Sequence, residues 1–138
     1  MNKKFEHLNL KVLSGSFKYV LFNQENSRNA ILDKLKSESE IIPQFLFFGE
    51  KELSLLISDA SAITGDKEEK NWRAIKIVGE MPFGTVQGLI ASISGVLRDN
   101  KIGICAISSF LTDYFFVKAD AIEQTRHVLS SEGWMFVE

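Results

Sequence analysis

The chain has 138 residues, 45% of them hydrophobic and 25% charged, with a formal net charge of −2. This is globular composition, and a chain of this length buries roughly two-thirds of its extended surface, in one domain or two small ones. No face gathers Lys and Arg, which excludes the footprint of a nucleic-acid binder; the single cysteine, Cys105, excludes an internal disulfide, and no Cys/His cluster has zinc spacing.

The opening MNKKFEHLNL carries two lysines with no apolar stretch behind them, unlike a signal peptide. No apolar run approaches the roughly 18 residues of a membrane span. A soluble, cytoplasmic chain with neither membrane nor nucleic-acid partner is expected.

Two alternating runs follow, Leu8–Leu13 and Phe17–Phe22, around Ser14-Gly15-Ser16. They predict a hairpin with a Gly-centred turn. Residues 23–44 are polar, with a short helix expected through Ala30, Ile31 and Leu35. Phe45–Phe48 and Leu53–Ile57, joined by Gly49-Glu50-Lys51, predict a second strand pair, and Asp59–Ile63 a short helix. Asp66–Lys70 is charged enough to read as a solvated connector and the boundary between residues 1–70 and 71–138.

The second half is more regular. Trp72–Gly79 alternates as a strand does. Pro82 and Gly84 mark a loop. Val86, Leu89, Ile90, Ile93, Val96 and Leu97 then form one helical stripe over Val86–Arg98. Thr85 is its expected N-cap, and Asn100 the left-handed residue that stops it. Ile102–Ser108 and Tyr114–Val117 read as strands. Ala121, Ile122, Thr125, Val128 and Leu129 form a second stripe, with Asp120 and Glu123 resembling a capping box and Gly133 a C-cap. Trp134–Glu138 closes as a strand. The order β-α-β-β-α-β predicts an α+β, ferredoxin-like fold: a four-stranded antiparallel sheet with both helices on one face.

The run WRAIKIVGEMPFGTVQGLIASISGVLRDNKIGICAIS resembles an ACT domain, and SSFLTDYFFVKADAIEQ resembles the Ser/Thr-rich, Asp-containing turn of small bacterial tandem-ACT proteins. It is also similar to the ACT modules of the CASTOR-type arginine sensors. The resemblance covers Trp72–Glu138 well and Leu8–Ile63 more loosely. It implies tandem ACT-like modules: a truncated one in residues 1–70 and an ACT domain in residues 71–138. By the same resemblance the chain is a non-enzymatic regulator that binds an amino acid, needs no cofactor and associates as a homodimer. One departure stands out: some ACT domains carry an acid just before Pro-Gly, whereas this loop reads Glu80-Met81-Pro82-Phe83-Gly84.

The residues also point to a small-molecule site on physical grounds. A loop ahead of a helix exposes unpaired N–H groups that favour an anion such as a ligand carboxylate. Asp113, a lone acid in an apolar run, can accept from an ammonium group. Ser108, Ser109 and Thr112 supply hydroxyls. The candidate ligand contacts are therefore Gly84, Thr85 and Val86 from the first loop and Ser108, Ser109, Phe110, Thr112 and Asp113 from the second. They are expected to converge at a seam between modules. Other readings stay open. Asp113 can cap its own turn, Gly84 can serve only a positive φ, and Phe110 can belong to the core. A ligand-free dimerisation module is the alternative function. A small-molecule enzyme on this fold is a further one, although no nucleophile elbow, phosphate loop or metalloprotease motif is present.

Overall fold

Strands and helices alternate along the chain as β1 (Asn9–Val12), β2 (Phe17–Phe22), α1 (Arg28–Ser37), β3 (Phe45–Phe48), β4 (Leu53–Ser58), β5 (Lys67–Val78), α2 (Leu89–Asp99), β6 (Cys105–Ser108), β7 (Asp113–Lys118), α3 (Ile122–Ser131) and β8 (Phe136–Val137). The structure is a computed structural model, and it describes residues 3–23, 28–37, 45–84 and 86–138. From β5 to β8 the order is the predicted β-α-β-β-α-β. The chain divides into two compact units, Gly15–Trp72 on its own and Met1–Ser14 together with Arg73–Glu138. No helix among the described residues is long and apolar enough to cross a membrane.

In the larger unit the strands lie in the order β6-β7-β5-β1-β8. The expected pairing of β1 with β2 does not occur. β1 runs antiparallel to β5, with Leu10 opposite Ile77, and parallel to β8, with Leu10 opposite Phe136. The sheet therefore includes one parallel pair and a fifth strand that the sequence reading assigned elsewhere. The physical reason is burial. Leu8 and Leu10 are almost fully enclosed and join Ile75, Ile77, Phe115 and Val117 in one core. A hairpin partner would leave that set incomplete. Leu89, Ile93 and Leu97 of α2 and Ile122 and Leu129 of α3 belong to the same cluster, as helices with a single apolar stripe must. Trp134 closes it, stacked on Phe5 at 5.9 Å between ring centroids.

Both long helices of this unit end in the same backbone device. After α3, Gly133 (φ 96°) donates to the Ser130 carbonyl and Trp134 to that of Leu129. After α2, Lys101 donates to Arg98 and Ile102 to Leu97. These are the paired bonds of a Schellman cap. The left-handed residue there is Lys101 (φ 59°) and not Asn100, which keeps φ −102° and donates its side-chain amide to the Val96 carbonyl. The capping box expected from Asp120 and Glu123 does not form: a 3-10 turn, Ala119–Ala121, leads into α3 with no side-chain cap.

In the smaller unit the order is β3-β4-β2 followed by the first half of β5. The β3–β4 hairpin forms as predicted, with Phe48 opposite Leu53. The charged stretch expected to be a connector is instead strand: Lys67 and Glu68 pair with Leu21 and Val20. A buried cation explains why. Lys18 is 2% exposed, and its ammonium donates to the carbonyls of Ser61 (3.0 Å) and Ile63 (2.7 Å) and to Glu68 (3.3 Å). A charge taken out of water needs such partners, so Glu68 is recruited into the sheet. The same bonds hold residues 59–63 as an irregular loop, not the predicted helix. α1 contributes Ile31 to a core with Val20, Phe22, Leu53, Leu55, Ile57 and Ile63.

Candidate functional site

The first candidate loop leaves β5 and passes through two left-handed glycines, Gly84 (φ 71°) and Gly88 (φ 79°). A Cβ placed on Gly84 would meet nothing within 4 Å, so conformation and not space demands glycine there. Gly88 also resets the start of α2. Val86 was predicted to open the helix; it lies ahead of it, because a left-handed residue cannot continue a right-handed helix. The helix begins at Leu89 with Gly88 as N-cap and no side-chain cap bond. Thr85, the predicted cap, lies outside the described residues. The first intrahelical bond runs from the Ser92 N–H to the Gly88 carbonyl at 2.9 Å. The N–H groups of Leu89, Ile90 and Ala91 thus precede any intrahelical partner, with no acid in the first turn to neutralise them.

The second loop joins β6 to β7. Asp113 does not sit in the turn, as expected, but opens β7 directly opposite Ser108. The Ser108 hydroxyl donates to Asp113 Oδ1 at 2.5 Å. The turn itself is closed by Ser109, whose N–H and hydroxyl both donate to the Thr112 carbonyl (2.8 and 3.0 Å). Its Oγ accepts from the Thr112 N–H at 3.2 Å. Thr112 is buried, and its hydroxyl donates to the Ile77 carbonyl at 2.7 Å. The protons of Ser109 and Thr112 are therefore committed inside the protein. Among the described residues, no Lys or Arg pairs with Asp113.

The two loops border a single cavity of about 430 Å³. Its walls are residues 81–84, Val86, residues 88–91 in the first turn of α2, and residues 108–113. Gly84, Val86, Ser108, Ser109, Phe110, Thr112 and Asp113 all border it. Every one of these residues belongs to the larger unit, so the two loops meet within it. Phe110 is not a core residue: it is 76% exposed and stacks on Phe83, with ring centroids 5.2 Å apart and planes 12° from parallel. The sequence reading missed Phe83 and Leu111. The available signal was an aromatic residue set between Pro82 and Gly84, in a loop where no core can hold it. Asp113 is the single ionisable side chain among the described residues that border the cavity. An uncapped helix start, one carboxylate and a phenyl stack suit a small zwitterion: amide protons for a carboxylate, Asp113 for an ammonium.

Residues 67–131 match the sequence profile of the ACT domain. Those residues form an ACT domain. The chain's fold agrees with that assignment: a mixed α/β arrangement with an open sheet and three helices among the described residues. Among solved structures, a protein from Agobacterium tumefaciens is similar over 95% of this chain and 92% of its own, at 24% identity and a TM-score of 0.71. The aspartate kinase of Clostridium acetobutylicum, described as an allosteric enzyme, is similar over 90% of this chain and 33% of its own, at 17% identity and a TM-score of 0.66. The ligand-free regulatory subunit of aspartate kinase from Thermus thermophilus is similar over 90% and 94%, at 10% identity and a TM-score of 0.62. At these identities the likeness is one of fold. No curated protein matches the chain. The ACT domain is a regulatory module, and the cavity described above lies in its loops.

Proposed function

We propose that this ACT-domain protein is a non-enzymatic regulator that binds an amino acid, built of an ACT domain in residues 71–138 and a truncated ACT-like module in residues 1–70. The observation that carries this reading is the meeting of Asp113 and the uncapped start of α2 on one cavity. The ligand carboxylate takes the N–H groups of Leu89–Ala91, and its ammonium takes Asp113. Gly84 and Val86 shape the loop ahead of the helix, while Ser108 orients the acid. Ser109 and Thr112 hold the turn and can still accept hydrogen bonds. The fold it shares with an aspartate kinase regulatory subunit supports a regulatory role. Regulation follows if the ligand favours one packing arrangement over another through its differential affinity, and a cytoplasmic homodimer is the assembly in which such packing is read out.

The test is thermal unfolding of the purified chain against each of the twenty amino acids, with mass spectrometry of any ligand that co-purifies. A ligand at a hundred times its dissociation constant stabilises by about 2.7 kcal/mol. Asp113→Asn removes the charge and keeps the shape, and should weaken that ligand without unfolding the protein. If no amino acid shifts the transition, or if Asp113→Asn binds as the parent does, the reading fails. One observation favours a second reading, a ligand-free dimerisation module: the hydroxyl protons of Ser109 and Thr112 are already satisfied by the turn. Under it the phenyl stack is an assembly contact, and light scattering would show a dimer that Phe110→Ala dissociates.

A further inference from the structure

We propose that the cavity selects amino acids with uncharged, apolar side chains; this rests on the amino-acid reading of the same site and narrows it. The inference comes from what borders the cavity besides the groups that hold the zwitterion. Met81, Phe83, Val86, Leu89, Phe110 and Leu111 supply an apolar wall, and among the described residues no Lys, Arg or His and no second acid borders it. Asp113 is the one carboxylate, and a bound ammonium uses it. A cationic side chain would then find no counter-ion, and an acidic one no cation on the cavity wall; the Lys4 ammonium, near Gly88, borders a neighbouring pocket instead. Either would lose water against phenyl rings without compensation. An apolar side chain loses nothing there and removes apolar surface from water.

The phenyl stack gives a second, independent reason. Phe83 and Phe110 are 67% and 76% exposed, and Leu111 beside them is 76% exposed. Contiguous exposed apolar surface of this kind marks a binding surface. These residues border the cavity, so a ligand side chain that reaches outward from the zwitterion anchor can meet them. The volume, about 430 Å³, lies in the lower part of the range for small-molecule sites and suits a single amino acid.

Isothermal titration of the full chain with L-leucine, L-isoleucine, L-phenylalanine, L-lysine, L-arginine, L-aspartate and L-glutamate tests this. At least one of the first three should bind about tenfold or more tightly than any of the last four, a step equivalent to about 1.4 kcal/mol. Phe83→Ala and Phe110→Ala, both at exposed positions where folding should survive, should each weaken the apolar ligand by about tenfold. If lysine, arginine, aspartate or glutamate binds best, the selectivity is overturned and the amino-acid reading stands; attraction of a cation to the phenyl faces is the physical route to that result. If none of the seven binds, the selectivity falls; if no amino acid at all shifts the unfolding transition, the amino-acid reading falls with it. If the phenylalanine variants leave apolar binding intact but change the oligomeric state, the stack is an assembly contact and the inference is wrong.

Discussion

Replacing Thr112 with valine separates a structural hydroxyl from a ligand-binding one. Thr112 is 6% exposed, and its hydroxyl donates to the Ile77 carbonyl at 2.7 Å, tying the β6–β7 turn to β5. Valine keeps the branched shape, so little cavity is created, but it sets a methyl group against a carbonyl that water scarcely reaches. A neutral hydrogen bond contributes about 0.5–1.5 kcal/mol net, while a buried polar group stripped of its partner costs about 1–3 kcal/mol. Thr112→Val should therefore lower the unfolding free energy by about 2 kcal/mol. With a urea slope of about 1–3 kcal/mol per molar for a small protein, the midpoint falls by about 1 M. Urea unfolding followed by the fluorescence of Trp134, which is 2% exposed in the same unit, reads this directly. The ligand found by thermal shift should bind the folded variant with nearly unchanged affinity. An unmoved midpoint together with lost binding would refute the reasoning and make Thr112 a ligand donor.

Two further substitutions test the backbone around the site. Lys101→Gly, at the left-handed C-cap position of α2, should raise stability by about 1 kcal/mol, because a side chain there carries a steric cost that glycine lacks; calorimetry that shows a loss would argue that the Lys101 side chain matters more than its φ. Gly84→Ala should cost about 1–2 kcal/mol from the φ of 71° alone, since no atom lies within 4 Å of the new methyl. Gly84→Asn, which tolerates the left-handed region better, should recover part of that, and equal losses for the two would point to crowding instead.

The C-terminal elements were legible because their signal is local. The stripe Leu89, Ile93 and Leu97 recurs at helical spacing, and each of these residues is buried. The partner of β1 was not legible. Alternation in Leu8–Leu13 says that one face is buried and nothing about which strand lies alongside; that is decided by Ile75, Ile77 and Trp134, more than sixty residues away in the chain. The charged start of β5 misled for a related reason. Glu68 looks solvated until Lys18, fifty residues earlier, is known to be buried beside it. Val86 fell on the apolar stripe by counting, but one left-handed glycine after it overrides periodicity. Asp113 was visible as a lone acid in an apolar run, whereas its partner geometry was not, since it depends on the Ser108 register.

The site divides its labour by rigidity, and this bears on how its specificity arises. Asp113 stands on a strand in register with Ser108, and the free amides stand on a helix whose stripe is locked into the core. On the amino-acid reading, these fix where the two charges of the ligand go, to the tolerance of packed secondary structure. Phe83, Phe110 and Leu111 stand on loops, which vary and adapt more readily than the elements they connect. Phe83 is also the residue that separates Pro82 from Gly84. From that loop position its ring stacks on Phe110. A change confined to the loop can thus alter which side chain is accepted without disturbing how the backbone groups of the ligand are held. For that reason the phenyl stack, and not Asp113, is where selectivity among amino acids should be sought.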